Sequence, residues 1–482
     1  MQLPDDSIER ILSSFDGLDL GDPRRIERLR STLQRMAESP GVSIPAAMGS
    51  DAELEGAYRF FHNPRVTLDE LTEAHAQSTT TRAREVGVVL AIHDTTTCEF
   101  ARADPKDVGY LSTGRAGFMV HYTLVVAANE SRKPLGIINT EVIFRTRPPS
   151  RPSKNGRRER NRGGAEIVRD PNRESRRWLR GFETSNTRLG DVDVIHVADR
   201  EGDFYELLGN AVEQGFRFVI RVRADKRRVK AEDGTRGTIR SIAETSKGVL
   251  HREAPLSTRK AAPQPRAQKT HPPRTGRLAM LTFSTAKVEL DKPRYLERGP
   301  DNVQLNMVRV YEENPPAGES PVEWMLFTTE PVGTADEVAF VVDSYRARWM
   351  IEECNKALKT GCRYEEHQFE SQHALLNVLA LSLPIACELL WLRACCRSEP
   401  TKPAREVLTP VQLEILMRLG SYKLPTIPTV HDALWAVAAM GGHIRSNGEP
   451  GWLILHRGMA KLLAYEQGWI ARDNASRDLT SR

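Results

Sequence analysis

The stretch DVDVIHVADREGDFYELLGNAVEQGFRFVIRVR (Asp191–Arg223) decides the fold class. Its opening, Asp191–Arg200, is rich in β-branched residues with an apolar body that runs into Asp199, and it reads as a strand. GDFYELLGNAVEQG then reads as a helix, and RFVIRVR (Arg217–Arg223) as a second strand. Strand–helix–strand in this order is a unit of a layered α/β sheet. Further strands are predicted upstream in VGVVLAIHDTTT (Val86–Thr97), MVHYTLVVAA (Met119–Ala128) and LGIINTEVIFR (Leu135–Arg145). The first of these also leads into an acid, Asp94. The expected fold class is therefore mixed α/β.

The flanks differ from this core. Residues 1–70 read as a small helical unit. In LGDPRRIERLRSTLQRMAE (Leu20–Glu38), Asp22 is placed to cap and Pro23 to open a helix. Ile26, Leu29, Leu33 and Met36 recur at helical spacing, with Arg24, Arg25 and Arg28 in other directions. DAELEGAYRFFHNPRV (Asp51–Val66) predicts a second helix that breaks at Asn63-Pro64. Residues 71–372 hold the core, interrupted at about 225–330 by a β-rich insertion; the core resumes at VEWMLFTTEPV (Val322–Val332) and a long helix around 336–360. Residues 373–482 are predicted mostly helical. Two basic loops, RTRPPSRPSKNGRRERNR (145–162) and TRKAAPQPRAQKTHPPRTGR (258–277), are expected to be flexible.

Composition sets outer bounds. The chain has 482 residues, 69 Lys+Arg against 64 Asp+Glu, a net charge of +5, and apolar and charged fractions of 39% and 28%. This describes a soluble globular protein. MQLPDDSIER lacks a basic start followed by an apolar stretch, so no secretory leader is expected. The longest apolar run, Leu375–Leu392, is interrupted by Asn377, Pro384 and Glu388, and reads as a buried core helix with no membrane involved. The six cysteines form no CxxC pair, which disfavours a disulfide framework or structural zinc and makes a reducing cytoplasm the expected location. Only 15 of the basic residues are Lys. Guanidinium forks suit phosphate, although a GC-rich genome gives the same bias.

The segment that carries chemistry is YRARWMIEECNKALKTGC (Tyr345–Cys362). On a regular helix, Tyr345, Arg348, Glu352 and Lys359 project from one arc of roughly 60°, opposite Ile351, Cys354 and Leu358. A solvated charged face with intrahelical ion pairs would have the same spacing. Two more acids, Asp94 and Asp199, are each expected at a strand end. Carboxylates there, with a glutamate on a facing helix, are the oxygen ligands that a pair of hard divalent cations requires. Taken singly, Asp94 reads equally as a turn-initiating residue and Asp199 as part of a surface ion pair.

The spacing Tyr345-x2-Arg348-x3-Glu352-x6-Lys359 resembles the YREK signature of DDE transposases of the insertion-sequence-four family. Matching stretches extend through nearly the whole chain: LGDPRR, EGAYRF…NP, DTT at Asp94, DRE-x-D at Asp199–Asp203, RFVIR at Arg217–Arg221, P-x-x-W-x-L-x-T-x-EPV around Trp324, and RW-x-IEE…KA-x-KTG at Arg348–Gly361.

The resemblance implies an RNase H-like catalytic core split by the β-strand insertion, an N-terminal DNA-binding region and a C-terminal dimerisation region. It implies that Asp94, Asp199 and Glu352 bind two Mg²⁺ (or Mn²⁺). It gives Tyr345, Arg348 and Lys359 to phosphates, Trp324 to a flipped base, Arg221 and Arg223 to the DNA path, and Arg24, Arg25 and Arg28 to end recognition. The expected partners are double-stranded DNA, as transposon-end inverted repeats and target, and a second copy of the chain in the DNA-bound synaptic complex. The expected place of work is the bacterial cytoplasm, on the nucleoid. Two alternatives remain at this stage: an RNase H-like nuclease without strand transfer, and an inactive DNA-binding inhibitor of transposition. Gly117-Phe118-Met119 and the loop after Asp94 depart from the family pattern, which leaves a second base-wedging role and the end sequence undetermined.

Overall fold

The computed structural model describes residues 3, 5–147, 173–259, 261, 272–369, 371–445 and 449–480. Most of both basic loops, 148–162 and 262–271, lies outside the described residues.

Eleven strands form one mixed sheet. They are β1 (Val88–Glu99), β2 (Gly117–Ala127), β3 (Pro134–Ile143), β4 (Asp193–Ala198), β5 (Arg217–Arg221), β6 (Arg228–Ala231), β7 (Arg236–Thr238), β8 (Gly248–Leu256), β9 (Arg277–Asp291), β10 (Asn302–Glu312) and β11 (Glu323–Thr328). The spatial order is β3-β2-β1-β4-β5-β11-β10-β9-β6-β7, with β8 added to β9. β1, β2 and β3 form an antiparallel meander, and β4 and β5 run parallel to β1. The segment read as an insertion supplies β6–β10, which prolong the same sheet beyond β11.

The N-terminal unit is built as its caps dictate, from α1 (Asp5–Ser13), α2 (Pro23–Glu38) and α3 (Asp51–Phe61). Asp22 accepts from Arg24 N at 2.9 Å, and Pro23 occupies the first turn. Leu29 and Leu33 are fully buried. The turn after α3 is clamped to the C-terminal region by Asn377, whose amide donates to Phe61 O (3.0 Å) and Val66 O (2.9 Å).

Helices α4 (Leu68–Val86), α5 (Arg177–Leu189) and α6 (Tyr205–Glu213) cover one face of the sheet. The other face is covered by α7 (Ala335–Arg346), α8 (Trp349–Lys356) and α9 (Gln372–Ser398). The apolar stretch Gln372–Cys396 has the length and hydropathy to cross a membrane, but 83% of its most apolar window is buried inside the protein, as a core helix. Helices α10 (Pro410–Leu419), α11 (Val430–Met440) and α12 (Trp452–Thr480) pack into a separate apolar cluster that includes Ile415, Leu416, Ala436 and Leu462.

Two local expectations are corrected. Asp94 does not end its strand: β1 continues through Glu99, paired with Gly117 of β2, because Thr95–Thr97 are β-branched and extend the ladder. The long helix around 336–360 is two helices. Between them the backbone tightens to three-residue hydrogen bonds, Arg348 N to Tyr345 O (3.0 Å) and Met350 N to Ala347 O (2.9 Å). Neither proline nor glycine causes this; the overwound turn redirects the chain so that Ile351 and Cys354 are fully buried. After α8 the chain loosens again into a π turn, Ala357–Gly361, closed by Cys362 N to Ala357 O at 2.8 Å.

Candidate active site

The period of two along β1 sends Asp94 toward α8 and its neighbours His93 and Thr95 toward α5. Asp199 follows β4 and initiates the tight turn Arg200–Gly202, its carboxylate accepting from Glu201 N at 2.8 Å. Glu352 stands in the first turn of α8 and accepts from Arg348 Nη2 at 2.6 Å. Three acids remote in sequence thus approach one another from the middle of β1, the end of β4 and a covering helix.

Their proximity is felt electrostatically. Burial, reinforced by the charges of Asp199 and Glu352, raises the Asp94 carboxyl from 3.8 to about 6; a Thr95 backbone hydrogen bond and Arg348 oppose the rise. Burial works against the charge of Arg348, yet Tyr345, Glu352 and Asp94 together hold its guanidinium above the ordinary arginine value. Among the described residues, no three His, Cys, Asp or Glu side chains are gathered closely enough to hold a metal ion as they stand. The acids are neighbours, and Glu352 is held by Arg348.

The other YREK positions are arranged around this centre. Tyr345 is buried at the end of α7, with the Arg348 guanidinium 5.9 Å from its ring centre. Lys359 rides on the π turn; its ammonium donates to Thr97 O and pairs with Glu365 at 3.3 Å. The helical-wheel argument for one continuous face fails at both ends, since the chain is overwound at Arg348 and underwound at Lys359. Tertiary placement over β1, and not helical phase, brings Lys359 to Thr97, three residues beyond Asp94.

A groove of about 820 Å³ has Trp324, Arg221, Tyr345, Arg346 and Trp349 in its walls; Asp94, Asp199 and Glu352 do not line it. Trp324 is half-buried on β11, and its indole N–H is buried without a partner. Arg223 is exposed beyond β5, its backbone N–H donating to Asp203 Oδ2 at 2.7 Å. Asp203 is a structural clamp, since it also pairs with Arg227 at 2.7 Å.

Residues 11–66 match the sequence model of the transposase DNA-binding family. The helical unit at the N-terminus thus carries a DNA-binding domain of the transposase type. Among solved structures, the chain is similar to a piggyBac transposase in a synaptic complex with hairpin DNA, with a TM-score of 0.31 and 8% identity. The overlap covers 82% of this chain and 65% of that one, so the chain spans less than two thirds of that protein's length. Likeness of this degree carries neither mechanism nor partner across.

Within the matched domain, Arg24 and Arg28 are exposed and Arg25 donates to Leu20 O. Arg28 lies directly across α3 at Gly56, where a Cβ would sit 1.3 Å from its guanidinium. These arginines belong to the helical unit and stand apart from the acids.

Two residues near the acids were not anticipated. Arg200 feels burial and the charges of Arg221 and Arg348, which lower its pKa, against Tyr345 and Asp199, which raise it. Asn355, one turn after Glu352, donates from Nδ2 to Asp94 Oδ2 at 3.1 Å. Arg200 lay within the DRE-x-D stretch; for Asn355 nothing in the one-dimensional spacing pointed across to β1.

Proposed function

We propose that the protein is a metal-dependent DNA transposase of the insertion-sequence-four family, similar to the cut-and-paste transposase of composite transposon Tn-five. The observation that carries this reading is the approach of Asp94, Asp199 and Glu352 beneath Arg348 and Tyr345, in a chain whose residues 11–66 match a transposase DNA-binding domain. The strand order β3-β2-β1-β4-β5 supports an RNase H-like core.

The donor set fits Mg²⁺ or Mn²⁺. All three side chains offer hard oxygens, and the burial that lifts Asp94, together with the charges of Asp199 and Glu352, is what a divalent cation would offset. Two ions held by these carboxylates would supply Lewis-acid stabilisation to an in-line phosphoryl displacement. The protein's own groups position the DNA. Arg348 and Lys359 offer charge to phosphates and Tyr345 a hydroxyl, and a phosphate drawn to Arg348 would release Glu352 from its ion pair. Water attacks the phosphodiester at the transposon end and leaves a 3′-OH. That hydroxyl attacks the opposite strand, giving a hairpin that is reopened before the end is joined to target DNA. No covalent enzyme intermediate is required, so catalysis rests on orientation and electrostatics.

Trp324, in the groove wall, is the stacking platform for a base extruded during hairpin formation, a contact of roughly 1–3 kcal/mol. Arg221 and Arg223 extend the DNA path, and Arg24, Arg25 and Arg28 read the transposon end. The working form is a homodimer on paired ends in the bacterial cytoplasm. Leu453, Tyr465 and Ile470 of α12, each about half exposed, supply apolar surface for the partner.

The test uses purified full-length protein, Mg²⁺ and DNA ending in the element's own terminal repeats. Nicks, hairpins and joined products are expected in that order. Nicking without hairpins or joined ends would leave only a nuclease. Trp324→Ala should slow the hairpin step more than the first nick, and equal losses at both steps would remove the stacking role.

A further inference from the structure

Asn355 joins the helix that carries Glu352 to Asp94 on β1. It stands on α8, three residues after Glu352, and its amide crosses to β1, where Nδ2 meets Asp94 Oδ2 at 3.1 Å. Its other end is fixed from a third element: the hydroxyl of Tyr122, on β2, donates to Asn355 Oδ1 at 2.8 Å. Tyr122 is fully buried, and Asp94 and Tyr122 are register partners in the β1–β2 ladder. The chain Tyr122 → Asn355 → Asp94 therefore closes a triangle between two adjacent strands and the helix that carries Glu352.

The direction of this chain follows from chemistry. An ionised carboxylate only accepts, so Nδ2 must face Asp94, and Oδ1 is left for the phenol. A tyrosine hydroxyl has one proton to give, and the 2.8 Å contact to Asn355 is shorter than the 3.3 Å contact to Ile351 O. Tyr122 thus selects which end of the amide faces the acid. The amide in turn occupies one oxygen of Asp94 and turns the carboxylate about its Cβ–Cγ bond.

We infer that Asn355, keyed by Tyr122, is a positioning residue that holds the Asp94 carboxylate in its metal-binding orientation and at a fixed spacing from Glu352. This rests on the metal-dependent reading above and extends it to a residue outside the acid triad. Groups that orient metal-binding carboxylates typically contribute about 10- to 100-fold in metal affinity or activity.

The test measures Mn²⁺ binding to the full-length protein without DNA, by the loss of the free-ion paramagnetic resonance signal, alongside thermal melting. Wild type should bind, and Asp94→Asn should lose most of that binding. Asn355→Ala should weaken Mn²⁺ by about 10-fold or more at an unchanged melting temperature, with nicking restored by raised Mn²⁺. Asn355→His, which keeps a donor, should recover part of the affinity. Tyr122→Phe, which frees the amide to turn over, should give a smaller loss in the same direction. If Asn355→Ala binds Mn²⁺ within twofold of wild type while Asp94→Asn does not bind, the positioning role is wrong and the metal reading stands. If wild type itself does not bind Mn²⁺, both fall.

Discussion

His93 and Asp94 are neighbours in β1 and leave the strand on opposite faces, into surroundings that treat a polar side chain in opposite ways. On the α5 face, His93 Nε2 meets His196 Nδ1 at 2.8 Å, Thr123 Oγ1 meets His93 Nδ1 at 2.9 Å, and the Asn186 amide meets His196 Nε2 at 2.5 Å. Phe182 stacks on His196 at 4.0 Å, and Gly181 lets α5 come close, since a Cβ there would stand 3.0 Å from His121 Nε2. Burial drives His196 and His121 down to about 3, so these rings are neutral. On the α8 face, Asp94 has the Asn355 amide and a Thr95 backbone hydrogen bond for partners, with Arg348 and two acids for neighbours. The first face pairs the His93, His196, Thr123 and Asn186 groups with one another, leaves only His121 Nε2 among these side chains without a partner, and becomes part of the core. The second keeps a buried carboxyl beside two other acids, a charge that the packing alone does not require.

The largest effect expected from this contrast is on activity. Glu352→Ala should lower nicking by at least about 10³-fold, as removal of a principal electrostatic group does. Binding of terminal-repeat DNA should stay within twofold, because the matched DNA-binding unit is elsewhere. A parallel fall of binding and nicking in gel-shift and cleavage assays would contradict a metal-ligand role for the acid face.

On the histidine face the loss should appear in stability. His196→Ala strands His93 Nε2, removes one of two partners of the Asn186 amide and leaves a void against Phe182. The expected cost is about 2–4 kcal/mol in urea unfolding, with nicking per folded molecule unchanged. A variant as stable as wild type but inactive would mean that this face also takes part in the chemistry.

What the sequence disclosed of this contrast follows from the range of the forces involved. Caps are local, so Asp22-Pro23 located the start of α2 and Asp199 marked the turn after β4. Alternation and β-branching located β1 to β5, but not where β1 stops, because Glu99 is held by Gly117 across the ladder. The break at Arg348 has no proline or glycine to announce it; it is imposed by burial of Ile351 and Cys354. The acids could be paired by resemblance, whereas Asn355 and the His93–His196 contact depend on which strands and helices face one another. That information lies in the packing and not in the spacing.

Acid titration should separate the faces by sign. His121 and His196 titrate near 3 in the fold against 6.5 ordinarily, so the fold favours their neutral form. Their contribution is complete above 6.5 and is lost as pH falls from there toward 3. Asp94 is raised from 3.8 to about 6, so the fold favours its protonated form, and that contribution is complete below 3.8 and lost as pH rises through about 6. His75, His93 and His367 are lowered in the same direction, so five histidines oppose one raised carboxyl and the urea midpoint should fall between pH 6.5 and pH 5. A midpoint that rises over that interval would show that the acid face dominates.

The smallest effect isolates Asp94. Replacing it with Asn removes a charge from beside Asp199 and Glu352 yet keeps an oxygen for the Asn355 amide, so packing is nearly preserved. At pH 8, where the acid is ionised, Asp94→Asn should stabilise by about 1 kcal/mol, by removing a buried charge and its repulsion from Asp199 and Glu352. At pH 5, where the wild-type carboxyl is already largely protonated, the gain should shrink toward zero. Stabilisation only at the higher pH, together with lost nicking, identifies a residue whose charge is kept at the expense of stability. Equal stabilisation at both values would instead trace the gain to packing, and the contrast between the two faces of β1 would lose its electrostatic basis.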